Sequence, residues 1–480
     1  MKILHSKNQG LRGNTLFIVL IVTGLVGFTL AAYLTLLRSQ NYSTVRSQAW
    51  NATIPVIEAG LEDALSQLNT HGSTNLACDG WTVTADGIYY PSTVKRTVGD
   101  NYYVITITNF NQGSSNNFPI IESRGYVNMP VLVSSANQPF LGVLGSPSVT
   151  TSGSLIRGVR CTTKPEYVFS KGMVAKGQID LKGNNIKTDS FDSTDPTYST
   201  NGLYTQSKAK ANGDVATDSG LTNSLNVGNA NVWGHVSTGP GGSVDIGPQG
   251  CVGDTNFQAQ ASNNGKIEPG YFTDDMNVDF PDVKVPFSGG FTPSNGQVGG
   301  TNYDYVLSGG NYRNSSSFSM DSTKKMIVTG NSSWYVGGNF SLSGNATIII
   351  APGASLKLYV NGSTSIGGNG IANQSGNAMN FMYYGTTNNT SISLSGNASF
   401  IGTIYAPSAA LTLNGGGLST LYDFTGASIT STVQFDGHVN FHYDEALGKL
   451  GPFRGFIVTS WNELTPTQVS TLPGGLSLSL

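Results

Sequence analysis

The hydrophobic pattern divides the chain near residue 38. Leu16 to Leu37 is an unbroken run of 22 residues without a charge. As a helix at 1.5 Å per residue it reaches roughly 33 Å, enough to cross a bilayer core. A cleaved secretory signal has a shorter apolar region followed by a small-residue cleavage site. Tyr33 to Arg38 offers none, so the run reads as a membrane anchor. Lys2, Lys7 and Arg12 precede it, which predicts a cytoplasmic N-terminus and an extracytoplasmic bulk. Further on, Trp50, Ile54, Ile57, Leu61, Ala64, Leu65 and Leu68 recur mostly at three- and four-residue steps, so the helix should continue as an amphipathic one. Pro55 is expected to bend or break one turn. Glu58, Glu62 and Asp63 make an acidic patch beside the stripe and read as a solvated face.

After the helix the period falls from near four residues to two. Tyr102–Thr108 and Glu122–Val127, separated by a Gly/Ser/Asn turn, predict a small antiparallel sheet lying against the helix. Residues 134–147 are rich in Ser, Asn, Pro and Gly and read as a linker. The remainder is repetitive. Gly-Asn-Ala occurs at 228–230, 344–346, 376–378 and 396–398. Ser341–Ala346 matches Ser393–Ala398; Ala351-Pro352 then matches Ala406-Pro407, and Leu356-Lys357-Leu358 matches Leu411-Thr412-Leu413. Short strands punctuated by Gly and Asn at a coarse repeat predict a right-handed β-solenoid, whose stacked turns share one apolar core. A β-sandwich would also give short strands, but not the long echo. The expected fold class is therefore mostly β. The expected order is a leader at 1–13, a transmembrane and amphipathic helix at 14–70, a small β region at 71–134, the solenoid at 135–450 and a tail at 451–480. Within the solenoid, 189–218 and 253–303 read as irregular stretches.

Composition narrows the function classes. Charged residues are 11% of the chain and the formal net charge is -3, with no basic stripe beyond the first helix, so nucleic acid is not an expected partner. Aromatics at 10% argue against disorder. Cys78, Cys161 and Cys251 are too far apart for a zinc signature, although an envelope location permits one disulfide. His438 and His442, four apart on a strand, stand roughly 13 Å apart and cannot share one ion directly. They read as the polar face of a terminal strand. Asp274-Asp275 is the one adjacent acidic pair of the distal region outside that strand, and it sits in an irregular stretch. No GxSxG, P-loop or HExxH occurs. Neither a catalytic residue, nor a cofactor, nor a metal site is expected.

Two resemblances sharpen this reading. The basic leader ending at Gly13, the apolar helix that follows at once and the segment Ile57-Glu58-Ala59-Gly60-Leu61-Glu62-Asp63-Ala64 resemble minor pilins of the PilX type. The resemblance implies cleavage by a prepilin peptidase between Gly13 and Asn14. It also implies packing of the helix against other pilin or pseudopilin subunits, with Ile18, Glu58, Gly60 and Glu62 as assembly positions. One residue departs from the pattern: major pilins carry glutamate at the fifth mature position, where this chain has Ile18. The departure suits a tip subunit or an uncleaved anchor better than a major subunit. In the distal part, Phe400–Pro407 and Leu411–Gly417 are similar to solenoid domains of the choice-of-anchor A group of surface proteins, which implies adhesive or structural work; the low charge with Thr, Asn and Tyr suits a surface glycan or a mineral surface better than an anion as its ligand. An anchored carbohydrate-active enzyme is the remaining alternative.

Overall fold

The computed structural model describes residues 12–72, 75–111, 118–128, 154–183, 186–396, 399–415, 422–472 and 476. The leader up to Leu11 and the expected linker lie outside these. The fold is mostly β with a long N-terminal apolar helix. The chain forms two compact units: Met1–Pro165 with Gly455–Leu480, and Glu166–Arg454.

In the first unit, helix α1 runs from Arg12 to His71 without a break. Its first half is long and apolar enough to cross a membrane, and Leu16, Ile18, Leu20 and Phe28 all stand exposed. Its second half is sealed against an antiparallel sheet built on β1 (Trp81–Val83), β2 (Tyr89–Pro91), β3 (Arg96–Val98), β4 (Asn101–Thr108), β5 (Ile120–Asn128) and β6 (Ser154–Tyr167). Ile57, Leu61, Ala64 and Leu68 are buried as the periodicity predicts. Trp50 and Ile54 are not, and Thr53 and Val56 take their places, so the packed face is rotated from the predicted stripe. Pro55 does not break the helix, which runs through it uninterrupted. Both Pro55 and Asn51, whose carbonyl it cannot serve, are exposed, so water can take that acceptor.

The segment 451–480 is not a tail. Phe453–Glu463 adds a strand beside β6, and Leu464 N donates to Gly158 O at 2.8 Å. Thr465 then caps the short helix Pro466–Ser470 with a capping box. Buried Arg124 on β5 donates to the carbonyls of Gln468 and Thr471, both at 3.2 Å. It also pairs with buried Glu122 at 2.8 Å, which Arg160 meets at 2.6 Å. The far edge of the first unit is thus built from residues some 300 positions later than the strands they join.

The second unit is a succession of short parallel strands. Across Trp334↔Leu358, Leu358↔Tyr383, Tyr383↔Ile404 and Ile404↔Ser428, paired residues lie 21 to 25 positions apart. Each strand turns alternate residues into one apolar core. There Phe381, Phe400, Phe424 and Phe441 stack in sequence with ring centroids 5.4, 4.6 and 4.7 Å apart. Gly228, Gly344 and Gly376 of the Gly-Asn-Ala repeats all take φ between +53° and +69°, which glycine adopts at least cost. The first half of the long echo is a true register match: Ser341 pairs with Ser365, and Ser365 with Ser393. Its second half is not, because Leu356 pairs with Phe381 whereas Leu411 pairs with Ile392.

The strand order is not the chain order. The unit begins with β7 (Met173–Ala175), β8 (Ile179–Asp180) and β9 (Lys187–Phe191), and these pair on one side with β10 (Val215–Thr217), β11 (Leu225–Gly228) and β12 (Asn231–Trp233). On the other side β7 and β8 pair with Tyr422–Gly437, and β9 with Val439–Asp444. The chain therefore enters in the middle of the stack. It builds outward through β13 (Val236–Ser237), β14 (Val244–Ile246) and β15 (Cys251–Gly253), then crosses and returns from the opposite end. Entry and exit lie side by side, with Val168 N donating to Pro452 O at 2.8 Å. Val439–Asp444 is consequently an internal strand, not a terminal one.

Candidate functional site

The assembly positions expected on α1 separate into two kinds. Ile18 is 55% exposed on the apolar half, and Glu58 and Glu62 are exposed on the packed half. Gly60 is buried: a Cβ there would come within 2.4 Å of Ser123 Oγ and 2.7 Å of Ile105. Gly125 on β5 meets Ile57 and the Thr53 carbonyl in the same way. This reciprocal pair of glycines lets helix and strand approach closely enough for Ser123 Oγ to donate to Ile57 O at 2.9 Å. Asp63, read as part of the solvated patch, is half-buried and bound by Arg96 at 2.5 Å and Tyr103 Oη at 3.0 Å. Gly13 and Asn14 fall in the first turn of α1.

A second candidate lies on the outer side of β9, β12 and β15. The register places Lys187 beside Asn231, and Trp233 two residues on projects from the same side as Asn231. A cavity of about 850 Å³ opens there, walled by Asn229, Gln249, Gln258, Asn264 and, from the 192–210 excursion, Gln206. Helix α2 (Thr255–Gln258) is capped by Asp254, which accepts from Phe257 N at 2.7 Å. Gln258 is pinned by donating to Val232 O at 2.5 Å and Gly253 O at 3.1 Å. Lys187 Nζ lies 3.6 Å from the Trp233 ring centroid and 2.9 Å from Asp189, so its charge is answered inside the wall. The lining holds amides, a hydroxyl, one indole, two alanines and the Lys187 ammonium, and no carboxylate. Such a surface can exchange hydrogen bonds with an uncharged polyol while the indole covers an apolar face.

Sequence reading missed this groove. The alternation Asn231–Trp233 marks an outward strand face, but nothing in the sequence says which strand lies beside it. It also misread His442, which is buried. Its Nδ1 is 2.5 Å from Asp189 and its Nε2 3.6 Å from Asp423. The Tyr204 ring stacks on it at 3.7 Å while Tyr204 Oη donates to Asp189 at 2.8 Å. The excursion after β9 folds back over this face, so residues predicted to meet solvent meet each other. Burial opposes charge on His442, but hydrogen bonds and charges from Asp189 and Asp423 outweigh it and raise its pKa. The same hydrogen bond lowers the pKa of Asp423, against the effect of its burial. Asp274 and Asp275 are exposed. No two cysteines are bonded: Cys161 and Cys251 are buried and Cys78 half-buried, all as free thiols. Burial pushes the Cys161 thiol up to about 11.

Residues 288–450 match the model of a domain of unknown function, DUF7305. No curated protein matches the chain. Among solved structures, the competence-associated pilin ComZ from Thermus thermophilus aligns at 12% identity, covering 86% of this chain and 96% of that one. Its TM-score of 0.24 is too low to carry an argument about either unit.

Proposed function

We propose that the protein is a minor pilin-like subunit of a type IV pilus or pseudopilus that displays its second unit for surface contact. The observation that carries this reading is α1 itself: one helix whose apolar half is exposed and whose other half closes an antiparallel sheet through facing glycines. An apolar helix presented in this way needs a bilayer, or a bundle of like helices, around it. On this reading prepilin peptidase cuts after Gly13, and Asn14 to Leu37 joins the filament core with Ile18 among its contacts. Glu58 and Glu62 then remain for neighbouring subunits. The second unit is read as a right-handed β-solenoid, supported by its parallel register at 21 to 25 residues. The test is the N-terminal residue of protein recovered from membranes of the native host. A chain beginning at Asn14 supports the filament reading, and an intact Met1 overturns it.

The second reading, an uncleaved structural anchor, is favoured by Ile18, which cannot supply the carboxylate that major pilins place there. On either reading the protein is proposed to be non-enzymatic, and the groove over β12 to take a neutral glycan. Full-length protein in detergent should bind members of a panel of neutral polysaccharides, with Trp233→Ala lowering affinity at least tenfold. Equal binding by the variant would remove the groove from the proposal. Hydrolysis of any panel member would overturn the non-enzymatic reading.

A further inference from the structure

Where α1 ends, three side chains of different ligating chemistry converge. His71 is the last residue of the helix, and Cys78 and Asp79 lie on the return towards β1. An imidazole nitrogen, the Cys78 Sγ and an Asp79 carboxylate oxygen all lie within 4.8 Å of one another. His71 Nε2 is 2.6 Å from Asp79 Oδ2. The packed unit, more than a chance loop shape, holds them there. Gln67, one turn back on α1 and buried, donates to Leu76 O at 2.8 Å and reaches Cys78 Sγ at 3.6 Å. Leu76 is fully buried. Trp81 N donates to Cys78 O at 2.9 Å, fastening the other end to β1. Asp79 takes φ +50° and Gly80 φ +79°, a left-handed pair that turns the chain between Cys78 and β1.

We infer that His71, Cys78 and Asp79 form a site for a borderline-soft divalent transition metal of the zinc class. Calcium and magnesium prefer all-oxygen shells and are poorly served by a thiol and an imidazole, whereas zinc takes nitrogen, sulfur and oxygen ligands together. Three protein ligands leave one tetrahedral position for water, and the exposed Asp79 beside half-buried His71 and Cys78 gives water access. Binding requires the thiolate and the neutral imidazole. The metal–sulfur bond therefore replaces the Cys78 S–H bond and the hydrogen bond it donates to Asn75 O at 2.9 Å, and its proton passes to solvent. The metal takes the place of the His71–Asp79 hydrogen bond and ties the end of α1 to the loop entering β1. Sequence spacing concealed the site because only one of its ligands is a cysteine. It departs from the expectation that the chain holds no metal, and it does not depend on the pilin reading.

The experiment is a titration of the reduced full-length protein in detergent with Co²⁺, followed by Zn²⁺. One equivalent of cobalt should produce a thiolate-to-cobalt charge-transfer band and tetrahedral visible bands, and one equivalent of zinc should abolish them. Cys78→Ser should lose the charge-transfer band, while Cys161→Ser and Cys251→Ser keep it. Asp79→Asn, nearly isosteric and exposed, should fold normally and weaken cobalt binding at least tenfold. Absence of the band in the unaltered protein, its survival in Cys78→Ser, or unchanged affinity in Asp79→Asn would each overturn the site.

Discussion

At the scale of single residues, two positions show what burial does to a side chain. Gly60 has no side chain because Ser123, Ile105 and Tyr103 occupy the space a Cβ would fill. Gly60→Leu must push helix and sheet apart, and overpacking of this kind costs about 1–3 kcal/mol. A fall in the thermal midpoint of the full-length protein checks this, and an unchanged midpoint would mean the interface is looser than drawn. His442 is the opposite case, a polar group whose value lies in its partners. Its pKa is raised, so its contribution is fully present below the unfolded value of about 6.5 and fades as pH rises through the folded value. That of Asp423 is lowered, so its contribution is present above about 3.9 and fades as pH falls through the folded value. The pair should stabilise most between roughly pH 4 and 6.5. Denaturant midpoints followed across pH should show this maximum. His442→Ala should flatten the alkaline limb and cost about 1–3 kcal/mol, since buried Asp189 loses one of its partners while keeping Lys187 and Tyr204. Gly60 could be named from sequence as an assembly position, but its role could not, because its partners come from strands 40 or more residues away.

At the scale of elements, what could be read from sequence follows from how local the determining contacts are. The apolar run of α1 and its continuation depend on steps of three and four residues, and both were legible. So was the β character of the distal half. The rotation of the packed face and the continuity of the helix through Pro55 depend on which side the sheet covers, and no local pattern states that. The echo at 341–346 and 393–398 was half informative for the same reason. Its aligned serines occupy one column of the stack, while the later leucine pairs fall in different columns. The phenylalanine series through 381, 400, 424 and 441 is the element-scale feature most open to test. Phe424 is flanked on both sides by stacked rings, and Phe424→Ala should cost about 3–5 kcal/mol. Truncating the exposed Phe291 should cost far less. Equal losses, by denaturant unfolding, would mean the column does not carry the core.

At the scale of the whole molecule, the second unit is an insertion between β6 and Phe453–Glu463, which are neighbours in the first unit's sheet. Reading along the chain, a tail is the natural expectation for residues 451–480, because their partners lie some 300 positions earlier. Deleting 422–444 should not yield a shorter protein of the same kind. It would bare β7, β8 and β9 on one side and Phe400–Gly415 on the other, and aggregation in place of soluble full-length protein is the expected result. The mid-stack entry also sets a schedule. Val174 leaves the ribosome long before Ile429, its neighbour in the finished stack. At ~5–20 residues per second the interval is roughly 10–50 s. For that time one flank of the founding strands has no partner from its own chain, so safe delivery of this protein depends on whatever shields a nascent β edge until its last strands arrive.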